Sequence, residues 1–134
     1  MKRVLTSILT SAAVLLAISS CATVPQGPLE PGEMRLLSLD VPDKGNLKMS
    51  IQYLLTIKFK ADGHPEVRRV CFTWSGDGPR CIRVKDVKYG SDAYLDVLFH
   101  APLGHYRLEC YVEYVRDGKV RRTNTVGSYV AGFM

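Results

Sequence analysis

Three histidines, thirteen carboxylates and four cysteines are the residues of this chain with chemistry to offer. His64 stands before Pro65, His105 follows Gly104, and His100 lies apart from both. They form neither a His-Glu-x-x-His spacing nor a set with paired Cys-x-x-Cys, so no metal-binding group is read from them. No Gly-x-Ser-x-Gly elbow and no phosphate-cradling loop occurs. Ser75-Gly76-Asp77-Gly78 looks superficially like a calcium loop, but it lacks the alternating carboxylates and closing glutamate that calcium requires, and Asp77 is read as a turn residue. Asp92, Asp96, Glu109 and Glu113 stand at strand-surface spacing. An acid–base pair among them is conceivable, and a solvated surface accounts for them more simply. The expectation is a protein that is not an enzyme, with no cofactor and no metal.

The fourth kind of chemistry lies near the N-terminus. Lys2 and Arg3 precede an uncharged run from Val4 to Ile18. As a helix that run would span roughly 22 Å, short of the ~30 Å hydrocarbon core of a bilayer, so it reads as the core of a signal peptide. Ile18-Ser19-Ser20-Cys21 follows and resembles the bacterial lipobox, with Ile where Leu is commoner. The resemblance implies cleavage before Cys21, diacylglycerol on its sulfur, and export. An uncleaved N-terminal anchor with an incidental cysteine is the alternative. Two or more acyl chains anchor stably where one is marginal. Ala22 stands where enterobacterial lipoproteins retained in the inner membrane carry Asp, which implies a cell-envelope location on the outer membrane, facing the periplasm. Removing Lys2 and Arg3 leaves sixteen basic residues against thirteen acidic ones. A surplus that small gives no reason to expect nucleic acid as a partner.

These residues must be positioned by something, and the rest of the chain supplies it. With one domain's worth of residues, the organisation read is 1–20 signal peptide, 21–33 lipidated cysteine and Pro/Gly-rich tether, and 34–134 a single β domain. The tether, at about 3.1 Å per residue, would hold the domain some 35 Å off the bilayer. Leu47, Met49, Ile51, Tyr53, Leu55, Ile57 and Phe59 alternate with mostly polar residues, which predicts one long strand. Shorter strands are predicted over Arg35 to Val41, Val67 to Trp74, Ile82 to Val84, Tyr94 to Phe99, Tyr106 to Val115 and Lys119 to Val130. Ser75 to Pro79 reads as a loop, and Asp117-Gly118 as a two-residue hairpin turn.

Seven short strands make an all-β, antiparallel sandwich the expected fold. Gly104-His105-Tyr106 resembles the corner before the penultimate strand of immunoglobulin-like and fibronectin type III-like domains. That resemblance implies a Tyr106 hydroxyl bonded back across the corner, and a fold that hosts many functions.

With Cys21 lipidated, Cys71, Cys81 and Cys110 remain. Cys71 opposes the face of Val70 and Phe72, and Cys81 opposes that of Ile82 and Val84, while Cys110 shares a face with Leu108 and Val112. Strand parity thus favours a Cys71–Cys81 bridge across one hairpin with Cys110 buried and inert, against the rival of a bridge from Cys110 to either of the others. Of Arg68, Arg69, Arg80, Arg83, Lys85, Arg121 and Arg122, several fall on strands expected to be neighbours, and Arg69, Arg83 and Arg121 with Tyr111 form a possible binding face, since Arg and Tyr are enriched at interfaces. A solvated face paired with Glu109 and Glu113 is the plainer reading. The function expected is that of a membrane-anchored binding or structural module, whose partner is a protein or envelope polymer. The alternative is an envelope enzyme or small-ligand carrier whose site is scattered in sequence. The pattern leaves the oligomeric state open.

Overall fold

A computed structural model describes residues 25 and 27–134; the expected signal peptide and Cys21 lie outside the described residues. Among the described residues ten strands form in chain order. They are β1 (Met34–Asp40), β2 (Asn46–Lys48), β3 (Gln52–Ala61), β4 (Val67–Trp74), β5 (Asp77–Ile82), β6 (Asp86–Lys88), β7 (Tyr94–His100), β8 (Gly104–Arg116), β9 (Lys119–Arg122) and β10 (Val126–Phe133). One sheet runs β2-β10-β8-β4-β5, with β9 also on β8; the other runs β1-β3-β7-β6. Their inner faces close over a core in which Leu36, Leu55, Ile57, Val70, Phe72, Leu95, Val97, Leu108 and Val112 are fully buried. Phe72 of β4 meets Phe99 of β7 across the sandwich, ring centroids 4.9 Å apart. The chain is all-β, and its pairing is antiparallel except where β10 lies parallel to β2.

Among the described residues ten strands stand against the expected seven, because the long strand and the last one each divide in two and β6 forms at Asp86–Lys88 where none was expected. The long alternating strand is two strands in two sheets: β2 pairs with β10, the chain turns at Met49 and Ser50, and β3 joins β1 and β7. Leu47 and Leu55 are buried, but Met49 and Ile51 between them are exposed, so the alternation continues through a segment that is not a strand. Asp77 to Pro79, expected as loop, belongs to β5 and pairs Asp77 with Trp74. Proline is tolerated there because β5 is an edge strand. The last expected strand is interrupted at Thr123 to Thr125, which separates β9 from β10.

That interruption is a bulge with a purpose. Asp117 and Gly118 both take positive φ, so the tight turn pairs Arg116 with Lys119 and Glu113 with Arg122. Beyond Thr123 the register has slipped by one, and Val126 pairs with Cys110. The Val112 N–H donates to the Thr123 hydroxyl at 2.9 Å, which replaces the missing ladder carbonyl. Asn124 is then free to reach the other sheet. Its amide nitrogen donates to Leu36 O at 3.0 Å and its oxygen accepts from Leu36 N–H at 2.8 Å, so a side chain acts as the strand neighbour that β1 lacks.

Tyr106, the third residue of β8, is a buried ring whose hydroxyl donates to Pro102 O at 2.8 Å. Burial pushes its pKa up to about 12. The residues expected as an extended tether lie against the domain where they are described. Arg35 donates to the carbonyls of Gly27 (2.7 Å), Pro25 (3.3 Å) and Pro28 (3.4 Å) and to Glu33 (3.0 Å). Arg116 holds Pro31 O at 3.0 Å and Glu30 at 2.9 Å. A guanidinium carries five donors, so one arginine can collect a proline-rich stretch whose carbonyls have no strand to pair with.

Candidate binding face

The outward face of the six-stranded sheet gathers the groups with recognition chemistry. On β8 the burial alternates, with Tyr106, Leu108, Cys110, Val112 and Tyr114 inward, so Arg107, Glu109, Tyr111 and Glu113 point out. On β4, Cys71 pairs with Tyr111 on one side and with Cys81 of β5 on the other. Cys71 and Cys81 form a disulfide, and Cys110 is a buried free thiol whose pKa burial pushes to about 12. In the chain-entropy picture a closed loop of this size contributes about 2.5–3 kcal/mol. Cys71 points outward yet is fully buried, so the bridge forms the floor of the face rather than its surface.

Over that floor the charges are interleaved with rings. Arg69 Nε lies 2.6 Å from Glu113 Oε1, and this hydrogen bond raises the Arg69 pKa. Glu113 Oε2 lies 3.9 Å from Arg122 Nε, and the Arg122 guanidinium stands 4.6 Å from the centre of the Tyr111 ring. A second stack follows on β10, where Arg107 lies 5.4 Å from the Tyr129 ring and 3.3 Å from Glu109. Gly127 makes room for it: a Cβ there would meet the Arg107 guanidinium at 3.1 Å. Tyr129 is 74% exposed, so its ring is presented to solvent rather than packed away.

Arg69 and Tyr111 are therefore brought together, and the other two expected members are not. Arg121 pairs with Tyr114, an inward position of β8, so it belongs to the opposite side of the sheet from Tyr111. Arg83 follows β5 and lines an open groove with Val67, Arg68 and Lys85. Arg122 is the residue that counting outward from the Asp117-Gly118 turn would have selected. Arg107 and Tyr129 depend on the register after the bulge, which carries no sequence signal. Among the described residues no group of three or more His, Cys, Asp or Glu is arranged to hold a metal, and no helix is long and apolar enough to cross a membrane.

No family model and no curated protein matches the chain. Among solved structures, the fibronectin(III)-like modules of Clostridium thermocellum CbhA align with it at 16% identity over 76% of this chain and 100% of that one, with a TM-score of 0.34. The assignment of this chain as an all-β sandwich rests on its own strand pairing.

Proposed function

We propose that the chain is a non-catalytic binding module of immunoglobulin-like, fibronectin type III-like topology, held to the cell envelope by lipid on Cys21. Its partner, a protein or an envelope polymer, docks on the outer face of the six-stranded sheet. The observation that carries the reading is the pair of arginine-on-tyrosine stacks, Arg122 on Tyr111 and Arg107 on Tyr129. Planar cations and amphipathic rings give large contact area at low entropic cost, which is why they recur at interface centres. The Tyr106 corner supports the topology.

Two measurements test it. A clickable fatty acid should label the chain and not its Cys21→Ser variant; equal labelling of both would remove the anchor. Affinity capture from solubilised envelopes should recover a partner with the unaltered chain and with Arg121→Ala, and lose it with Tyr111→Ala and Arg122→Ala together. Equal recovery by all would leave the face idle.

A further inference from the structure

Among the described residues the four-stranded sheet carries a groove of about 500 Å³ on the other side of the molecule. Lys58, Lys60 and Lys88 line it, with Tyr94 and the half-exposed Leu37 between them, and Asp92 is the one carboxylate in its wall. Lys58 has a partner in Asp40 at 3.5 Å. No carboxylate among the described residues lies within ion-pair distance of Lys60 or Lys88. The acids nearest the incoming chain are already engaged: Glu33 by Arg35, Glu30 by Arg116 and Asp62 by the Gly32 N–H.

Position decides what this groove can meet. Lys60 is the register partner of Arg35, the residue that holds the carbonyls of Pro25 and Gly27. Between Cys21 and Pro25 there are four peptide steps, which span at most about 14 Å. Lipid on Cys21 would therefore keep Pro25 within about 14 Å of the bilayer surface, and with it the end of the sandwich where Arg35 holds the Pro25 carbonyl. From these distances we propose that the Lys58/Lys60/Lys88 groove seats anionic lipid headgroups of the same membrane that holds the anchor, which fixes the orientation of the module. The proposal rests on the lipid-anchor reading. The lysines supply the attraction to phosphate, each worth about fivefold in the docking equilibrium near an anionic surface. Leu37 and Tyr94 give the groove an apolar and aromatic lining suited to the interface.

The test uses the full chain, reconstituted into vesicles with and without phosphatidylglycerol, carrying a fluorophore at Ser91→Cys beside the groove or at Leu103→Cys at the far end. Cys21 carries the lipid under the anchor reading, Cys110 is buried and Cys71 and Cys81 are bridged, so the introduced thiol is the one to label. Spin-labelled headgroups should quench the Ser91 probe in phosphatidylglycerol vesicles and leave the Leu103 probe bright. Lys60→Gln with Lys88→Gln should shift the docking equilibrium about twenty-fivefold, and half-molar salt should act in the same direction. Quenching equal at both positions, or indifferent to lysine, lipid charge and salt, would overturn the proposal. So would loss of quenching on adding millimolar inorganic phosphate, which would make the groove a site for free anion. A chain that does not float with the vesicles fails the anchor reading instead.

Discussion

Asn124→Ala isolates the contact between the two sheets. The substitution deletes both hydrogen bonds of Leu36, at 2.8 and 3.0 Å, and leaves a backbone donor and acceptor of a fully buried residue without partners. Each unsatisfied buried group costs about 1–3 kcal/mol. Asn124 itself is half-buried, so water can partly replace it and the lower half of that range applies, giving about 2–4 kcal/mol for the pair. Thr125→Ala, at the exposed neighbouring position, should cost under about 0.5 kcal/mol. Urea unfolding of the chain from Pro25 onward, with the disulfide intact, should show a lowered midpoint for Asn124→Ala at unchanged slope. Native-state hydrogen exchange should show the Leu36 amide opening ahead of its neighbours on β3. If Asn124→Ala falls within about 0.5 kcal/mol of Thr125→Ala, β1 is held by its own packing and the side-chain bridge contributes nothing.

Tyr106→Phe should cost about 0.5–1.5 kcal/mol, more if Pro102 O stays buried without a donor, whereas Tyr111→Phe keeps the ring face under Arg122 and should cost close to nothing; the reverse order would invert the assigned faces of β8. Cys110 should resist alkylation until the protein is denatured, while peptide mapping without reductant recovers Cys71 joined to Cys81; rapid labelling of the native chain would contradict its burial. Glu33 accepts from the Glu30 N–H, and that bond together with Arg35 holds its carboxyl below the ordinary 4.5. A carboxyl lowered by folding contributes stability that is complete above its ordinary value and lost as pH falls through the depressed one. The segment before β1 should therefore loosen below about pH 4.5 with the core intact, by hydrogen exchange, and Glu33→Gln should abolish that dependence; an unchanged midpoint in the variant would assign the loosening elsewhere.

The elements legible in the sequence were those whose two faces differ in kind. The parity of β8 could be read because Tyr106, Leu108, Cys110 and Val112 face a dry core while Arg107, Glu109 and Glu113 meet water. The Cys71–Cys81 pairing followed from the same rule applied to β4 and β5. Alternation misled between Leu47 and Tyr53, because a chain that leaves one sheet for the other can keep its apolar period through the turn. Tertiary partners fixed the break: the Met49 N–H donates to Phe133 O at 2.8 Å and the Lys48 N–H to the Tyr53 hydroxyl at 2.9 Å. On the candidate face, Arg69 and Tyr111 were within reach of parity, Arg122 within reach of turn counting, and Tyr129 beyond both, since Thr123 shifts the register through a contact made only in the folded state.

The three cysteines among the described residues, with one bridge between them, also set a problem in time. The two cysteines of the β4–β5 hairpin are separated by 10 positions, whereas Cys110 lies about forty positions from Cys71 and about thirty from Cys81. In an unstructured chain, loop-closure entropy alone favours the short pairing by about 1 kcal/mol, roughly fivefold, over either alternative. Pairing of β8 with β4 then places Cys110 on the core side and Cys71 on the outer side of adjacent strands, beyond each other's reach. Entropy biases the early oxidation and topology makes the choice permanent, so the odd thiol needs no isomerase to keep it from the bridge once β8 is in place.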